Sequence, residues 1–129
     1  MLQALTQIPH EAQCLIPIPM HPQKLKIRGF NQAALLTKRL ARALKLPYDF
    51  HSCQKIVNTV PQAGLDGEQR LRNVRGAFQA SSMPYEHVVL VDDLLTTGST
   101  ANELASTLKK AGVKKVDIWC CARTLIKTK

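Results

Sequence analysis

Residues 88–100, VVLVDDLLTTGST, put two adjacent carboxylates, Asp92 and Asp93, at the end of an apolar run and follow them with a turn of hydroxyls and a glycine. Thr96, Thr97, Ser99 and Thr100 supply hydroxyls, and the backbone N–H groups of such a turn converge on an anion where it opens a helix. Gly98 lets the chain turn tightly and approach that anion closely. The carboxylates do different chemistry. They accept hydrogen bonds from sugar hydroxyls, and they suit a divalent cation held directly or through water. The stretch therefore fits a sugar phosphate, with the phosphate in the turn and the diol on Asp92 and Asp93.

Other sites with an apolar strand ending in acids fit less well. A P-loop nucleotide site needs a G-x-x-x-x-G-K-[ST] partner, and the chain has none. A receiver domain needs more α/β structure than the 36 residues that follow Asp93. No pair of the four cysteines, Cys14, Cys53, Cys120 and Cys121, has C-x-x-C spacing. Buried reduced thiols are expected, with neither disulfides nor a zinc site. His10, His21, His51 and His87 lie outside the motifs and are expected in surface or core roles.

The elements that must position this stretch follow from period and punctuation. HVVLVDD reads as a strand buried on both faces of a parallel sheet. Thr100 and Glu103 have capping-box spacing, so a helix is expected through about Ala111, stopped by Gly112. VDIWCCA then returns as a strand, completing a right-handed βαβ unit. Upstream, CLIPIP (14–19) reads as a short strand and MHPQKLKIRGF as a basic loop. Asn31 stands at an N-cap, and Ala34, Leu36, Leu40, Ala43 and Leu44 recur at helical spacing until Pro47. Residues 50–66 read as irregular. Asp66 and Gln69 open a short helix with Arg70, Arg72 and Arg75, and Ala77–Ala80 read as a brief strand.

At 129 residues with 45% hydrophobic content, the chain is expected to be one globular α/β domain over 1–129, with 1–13 as an N-terminal tail. It has neither an apolar run of spanning length nor a signal-peptide pattern, so a cytoplasmic protein without membrane insertion is expected. The net charge of +9 is concentrated: residues 24–75 carry eleven Lys or Arg against three acids. A basic middle segment suits an anionic partner, either a nucleic acid or a polyphosphate metabolite.

The pattern at 88–100 resembles the phosphoribosyl-pyrophosphate (PRPP) motif of the type I phosphoribosyltransferases. Three stretches, IPIPMHPQKLKIRGFNQ (16–32), TVPQAGL with EQRLRNVRGAF (59–78) and the motif itself, are similar to one branch of that superfamily, the ComF (competence protein F) family. The resemblance implies an open, mainly parallel twisted sheet flanked by helices, and a transferase of nucleotide metabolism with a role in DNA uptake. It implies that Asp92 and Asp93 hold the ribose and, with it, Mg²⁺, and that Thr96, Thr97, Gly98, Ser99 and Thr100 hold the 5′-phosphate. Arg28 and Gly29 would serve the pyrophosphate, and Lys55, Thr59, Gln62, Arg70 and Asn73 a flexible loop over it. Transfer from PRPP loses pyrophosphate from C1 through an oxocarbenium-like state, and no residue is assigned as its acid or base.

Departures from the family pattern set further expectations. About thirteen residues precede the first strand, without the family's cysteine-rich zinc module, so a fragment or a reduced family member is expected. The hood that selects the acceptor is not legible, and the acceptor is unassigned. KIVNT has Lys55 but Val57 where the family tends to have two bases. Single-stranded DNA or a protein of the competence machinery is the alternative partner of the basic segment, and a homodimer is also expected. The aromatics are few, with only Phe30 and Phe50 in the basic region lacking an obvious core role, which weakens the nucleic-acid reading.

Overall fold

The computed structural model describes residues 11–57, 66–95 and 98–123. Its elements run β1 (Cys14–Pro17), α1 (Pro22–Arg28), α2 (Gln32–Leu44), β2 (Cys53–Lys55), α3 (Gly67–Val74), β3 (Phe78–Ala80), β4 (His87–Leu95), α4 (Ser99–Lys110) and β5 (Lys115–Arg123). Three strands form a parallel sheet in the order β1-β4-β5, and β2 pairs antiparallel with β3 in a second, two-stranded sheet. The expected α/β architecture is present, with the sheet flanked by helices.

Strand alternation divides the core between two faces. Leu15, Val89, Val91 and Trp119 pack against Leu40 and Ala41 of α2 on one face. Cys14, Ile16, Val88 and Leu90 pack against Ala101, Leu104 and Leu108 of α4 on the other. Thus α2, which follows β1, and α4, which follows β4, cover opposite faces of the sheet. Neighbouring strands whose connections leave to opposite faces make a crevice beyond their carboxyl ends. Backbone bonds from Leu15 to Pro47 and from Asp49 to Leu15 tie residues 47–49 along the outer edge of β1.

Three local expectations are corrected. The basic stretch after β1 is a helix, because His21 caps it, Pro22 occupies its first turn and Gly29 ends it in the left-handed conformation at φ 88°. Residues 53–55, expected to be irregular, are β2, whose partner Phe78–Ala80 is the brief strand expected. The Thr100–Glu103 capping box does not form: Gly98 at φ 84° is the N-cap of α4, and the Glu103 carboxylate instead accepts the Gly76 N–H at 3.1 Å. In α2 the buried face carries Ala33, Thr37, Leu40 and Ala41, while Ala43 is exposed. The Thr37 hydroxyl is satisfied by the Ala33 carbonyl at 2.7 Å. The Asp66–Gln69 capping box is present in full.

Cys14 and Cys53 are buried free thiols in the α4-side core. Burial, and then the nearby Asp49 carboxylate, push Cys14 up to about 11 and Cys53 up to about 12. The reactive thiolate is therefore scarce at neutral pH. A water-soluble disulfide reagent should leave Cys14 and Cys53 unmodified in the native protein and label both in denaturant. Native labelling at the denatured rate would show that this core is not packed as described.

Candidate functional site

The crevice between β1 and β4 is the candidate functional site. β1 stays with β4 only as far as Pro17 opposite Val91, and a last bond runs from Ile18 N–H to the Val91 carbonyl at 3.0 Å. β4 continues through Asp92 and Asp93 while the chain after β1 turns away into α1. That divergence opens a cleft of about 330 Å³. Asp92 and Asp93, both half-buried, form one wall, and Gly98, Ser99 and Thr100 form another. Lys24 and Arg28 of α1 and Lys55 at the end of β2 bring three cations to the same space.

The N-terminus of α4 opens into this cleft through Gly98, which has no side chain to cap it. A helix of twelve residues presents a partial positive charge at this end, where the N–H groups of the first turn point outward along the axis. The arrangement can hold a phosphate. The Asp92 carboxylate accepts the Asp93 backbone N–H at 2.9 Å, which fixes its orientation toward the cleft. Lys55 is held below its ordinary value, first by partial burial and then by Lys24. Two cations crowded into a half-buried space favour an anionic ligand.

Of the expected site residues, Asp92, Asp93, Gly98, Ser99, Thr100, Arg28 and Lys55 are brought together around one cleft. Gly29 is not part of its wall, and its N–H is committed to the Leu25 carbonyl at 2.7 Å, so its role is to end α1. Arg70 and Asn73 lie in α3, with their side chains outside the described residues, as are Thr59, Gln62, Thr96 and Thr97. Val57 is exposed.

Several residues in the wall, Lys24 among them, were not expected there. His21 lies in the cleft, its Nδ1 accepting the Gln23 N–H at 3.1 Å as the cap of α1. The only sequence signal was its place before Pro22, where a helix can start. Asn31, expected only as a cap, does more. Its Oδ1 accepts from Ala33 and Ala34 N–H at 2.9 and 3.3 Å, and its Nδ2 donates to the Ile18 carbonyl at 3.2 Å. One side chain thus joins the start of α2 to the residue where β1 leaves β4.

The donor set bears on a metal. Among the described residues no group of three or more His, Cys, Asp or Glu could enclose an ion. Two adjacent carboxylates are hard oxygen donors of the kind Mg²⁺ takes, but too few for a resident site. Mg²⁺ is commonly held by one or two carboxylates, waters and the phosphates of a ligand, and Asp92 and Asp93 fit an ion that arrives in that way.

Residues 31–129 match the phosphoribosyl transferase domain family, and the chain belongs to that family. The resemblance to the ComF branch is borne out by its relatives. The chain is 37% identical to Competence protein F of Haemophilus influenzae over 115 residues, covering 86% of this chain and 50% of that protein. It is 36% identical to DNA utilization protein YhgH of Escherichia coli K12 over 113 residues, covering 86% and 49%. It is 31% identical to Competence protein ComFC of Bacillus subtilis over 98 residues, covering 76% and 39%. The chain thus spans about half the length of the first two relatives, and less of the third. A solved structure, the allosteric regulatory enzyme of purine biosynthesis, shares the fold with a TM-score of 0.56 at 22% identity, covering 92% of this chain and 24% of that one.

Asn31 offers a direct test of how the cleft is held. Asn31→Ala loses the helix cap and the tie to Ile18 and should cost about 1–3 kcal/mol in chemical denaturation. Asn31→Asp keeps the cap acceptor and should cost less. Equal losses in the two variants would show that the cap contributes nothing to holding the cleft.

Proposed function

We propose that the cleft binds PRPP together with Mg²⁺ and that the protein transfers the phosphoribosyl group to an acceptor. The observation that carries this reading is the convergence of three unlike groups on one space: the N-terminus of α4, two carboxylates, and three cations. Each has its part of PRPP. Gly98, Ser99 and Thr100 receive the 5′-phosphate at the positive end of α4. Asp92 and Asp93 accept the ribose hydroxyls. Lys24, Arg28 and Lys55 face the diphosphate, which leaves C1 with the electron pair of the broken C–O bond. Stabilising charge as it develops on that group is the main contribution such a site can make. Bound Mg²⁺ supplies further neutralisation of the diphosphate. The names of the relatives support a role in competence and DNA uptake.

The double substitution Asp92→Asn with Asp93→Asn should abolish PRPP binding and leave the fold intact. Isothermal titration with PRPP, with and without Mg²⁺, reads the first; circular dichroism reads the second. Unchanged affinity in a folded double variant would remove the ribose-and-metal assignment.

A second reading has one observation in its favour. On α1 and just after it, Ile27 is 88% exposed and Phe30 46% exposed, beside Lys26 and Arg28. Exposed rings among cations suit single-stranded DNA, and a relative is named a DNA utilization protein. Replacing Lys24, Lys26 and Arg28 by Ala should then flatten the slope of log K against log salt by about 2, three contacts at about 0.7 each. An unchanged slope would exclude this surface as the DNA contact.

A further inference from the structure

The outer face of α2 carries charge that the cleft does not use. Its thirteen residues include no acid, and Lys38, Arg39 and Arg42 are exposed on it, with Lys45 exposed as its C-cap. Spacings of three and four residues make Arg42 a neighbour of the other three, and like charges so placed repel. Among the described residues none of the four has an ion-pair partner. The carboxylate nearest to them in sequence, Asp49, is taken up by His51 N–H, Ser52 N–H and Ser52 Oγ. An acidic partner would relieve the repulsion that the chain itself leaves in place.

A cavity of about 410 Å³ opens in the same face, lined by Lys38, Ala41, Arg42, Leu46 and Tyr48, none of which borders the cleft. It exists because the chain doubles back after α2. Lys45 turns left-handed at φ 58°, and Leu46 N–H bonds the Ala41 carbonyl at 3.0 Å, which lays residues 46–48 beside the helix. Ala41 is buried and Leu46 half-buried, so the floor is apolar. Lys38 and Arg42, one turn apart, stand at the rim with Tyr48, which is 46% exposed. An apolar hollow rimmed by cations takes an apolar or aromatic side chain flanked by carboxylates.

The backbone favours a peptide over a nucleic acid. Leu15 N–H donates to the Pro47 carbonyl and Asp49 N–H to the Leu15 carbonyl, the pattern of a parallel bridge at Tyr48. In that pattern the N–H and carbonyl of Tyr48 itself point away from β1, an open strand edge onto which an extended peptide can add. A single strand of nucleic acid needs open ring faces instead. Phe50 is packed against Tyr48, with centroids 4.7 Å apart, and carries Lys38 Nζ 5.8 Å from its centroid, which leaves Tyr48 alone to stack a base. We propose that this face of α2, with the edge at Tyr48, binds an acidic segment of a partner protein in extended form. One apolar or aromatic side chain of that segment fills the cavity, and its carboxylates meet Lys38 and Arg42.

The test titrates the full chain with a fluorescent acidic heptapeptide, DEDFDED, read by anisotropy and by the amide NMR spectrum. Binding should saturate, shift the amides of Lys38, Arg42, Leu46 and Tyr48, and slow hydrogen exchange at the Tyr48 amide. DEDADED, which lacks the anchor, should bind at least about tenfold more weakly. Lys38→Glu with Arg42→Glu changes two exposed helix positions; it should weaken DEDFDED at least about tenfold and transfer the preference to the basic peptide KRKFKRK. Should that variant fail to fold, Lys38→Gln with Arg42→Gln should show the same loss without the transfer. Absence of saturable binding, equal binding by DEDADED, or undiminished binding in a folded double variant would overturn the proposal. Oligo(dT) is titrated in parallel. Tighter binding of oligo(dT) than of DEDFDED, lost in the same variant, would overturn the peptide and make this face a nucleic-acid contact.

Discussion

The hydrogen bond from Ile18 N–H to the Val91 carbonyl is the last between β1 and β4, and the site depends on where that pairing stops. One residue further along β4 the carboxylates begin; one residue further after Ile18 the chain turns toward α1. Had β1 stayed paired through Asp93, its backbone would fill the space the ligand needs. Pro17 and Pro19 lack their N–H groups on the other edge of β1, the side on which Leu15 N–H reaches Pro47, so they end backbone pairing there. Asn31 then holds the departing strand by the Ile18 carbonyl, so the divergence is fixed rather than frayed. The opposite placement of α2 and α4 makes this the point where helices cannot cover the strand ends.

Charge in the cleft is arranged for a ligand that carries much of its own. Lys55 is held below its ordinary value, first by partial burial and then by the nearby Lys24. An anion placed beside Lys55 offsets the repulsion from Lys24, so part of its binding energy comes from relieving repulsion already present. The carboxylates belong to β4 and the turn of N–H groups to α4, so one cleft offers a ligand both acceptors and donors. Most of the basic middle segment is elsewhere: Lys38, Arg39, Arg42 and Lys45 are on the exposed side of α2 and its end. Net charge therefore pointed to an anionic partner without locating it.

What the sequence disclosed depended on length and redundancy of signal. β4, with four consecutive apolar residues before its acids, and α3, with a complete capping box, were readable because their patterns have few other physical uses. The Thr- and Gly-rich stretch and the carboxylates were readable as a motif, and the cleft joins to Asp92, Asp93, Gly98, Ser99 and Thr100 the Arg28 and Lys55 expected from distant stretches. α1 was hidden because seven residues carry too little periodicity, and a run of Lys and Arg next to two prolines has the composition of a loop. β2 was hidden for the same reason at three residues; it exists because Phe78–Ala80 lies beside it. The Thr100–Glu103 spacing misled because it left out a competitor: the Gly76 N–H, distant in sequence, is where the Glu103 carboxylate goes. His21 could not be singled out because its function is geometric, a cap acceptor that also forms a wall.

That same Glu103 bond ties α4 to the α3–β3 turn. α4 begins at the phosphate turn, and Glu103 lies one turn later on it. Its carboxylate holds the Gly76 N–H in the turn between α3 and β3, and Ala77 N–H is in turn bonded to the Val74 carbonyl. From Ala77 the connection passes to β2, since Ile56 N–H donates to the Ala77 carbonyl at 2.7 Å. Ile56 directly follows Lys55, the last residue of β2 and a wall of the cleft. A continuous set of bonds therefore runs from α4, whose N-terminus opens into the cleft, through the α3–β3 turn, to the residue beside Lys55. Hydrogen bonds of this kind contribute only about 1 kcal/mol each, but a chain of them restrains relative position at every link. The α4 terminus and Lys55 face one cleft, so a ligand held from both sides depends on that restraint more than on stability.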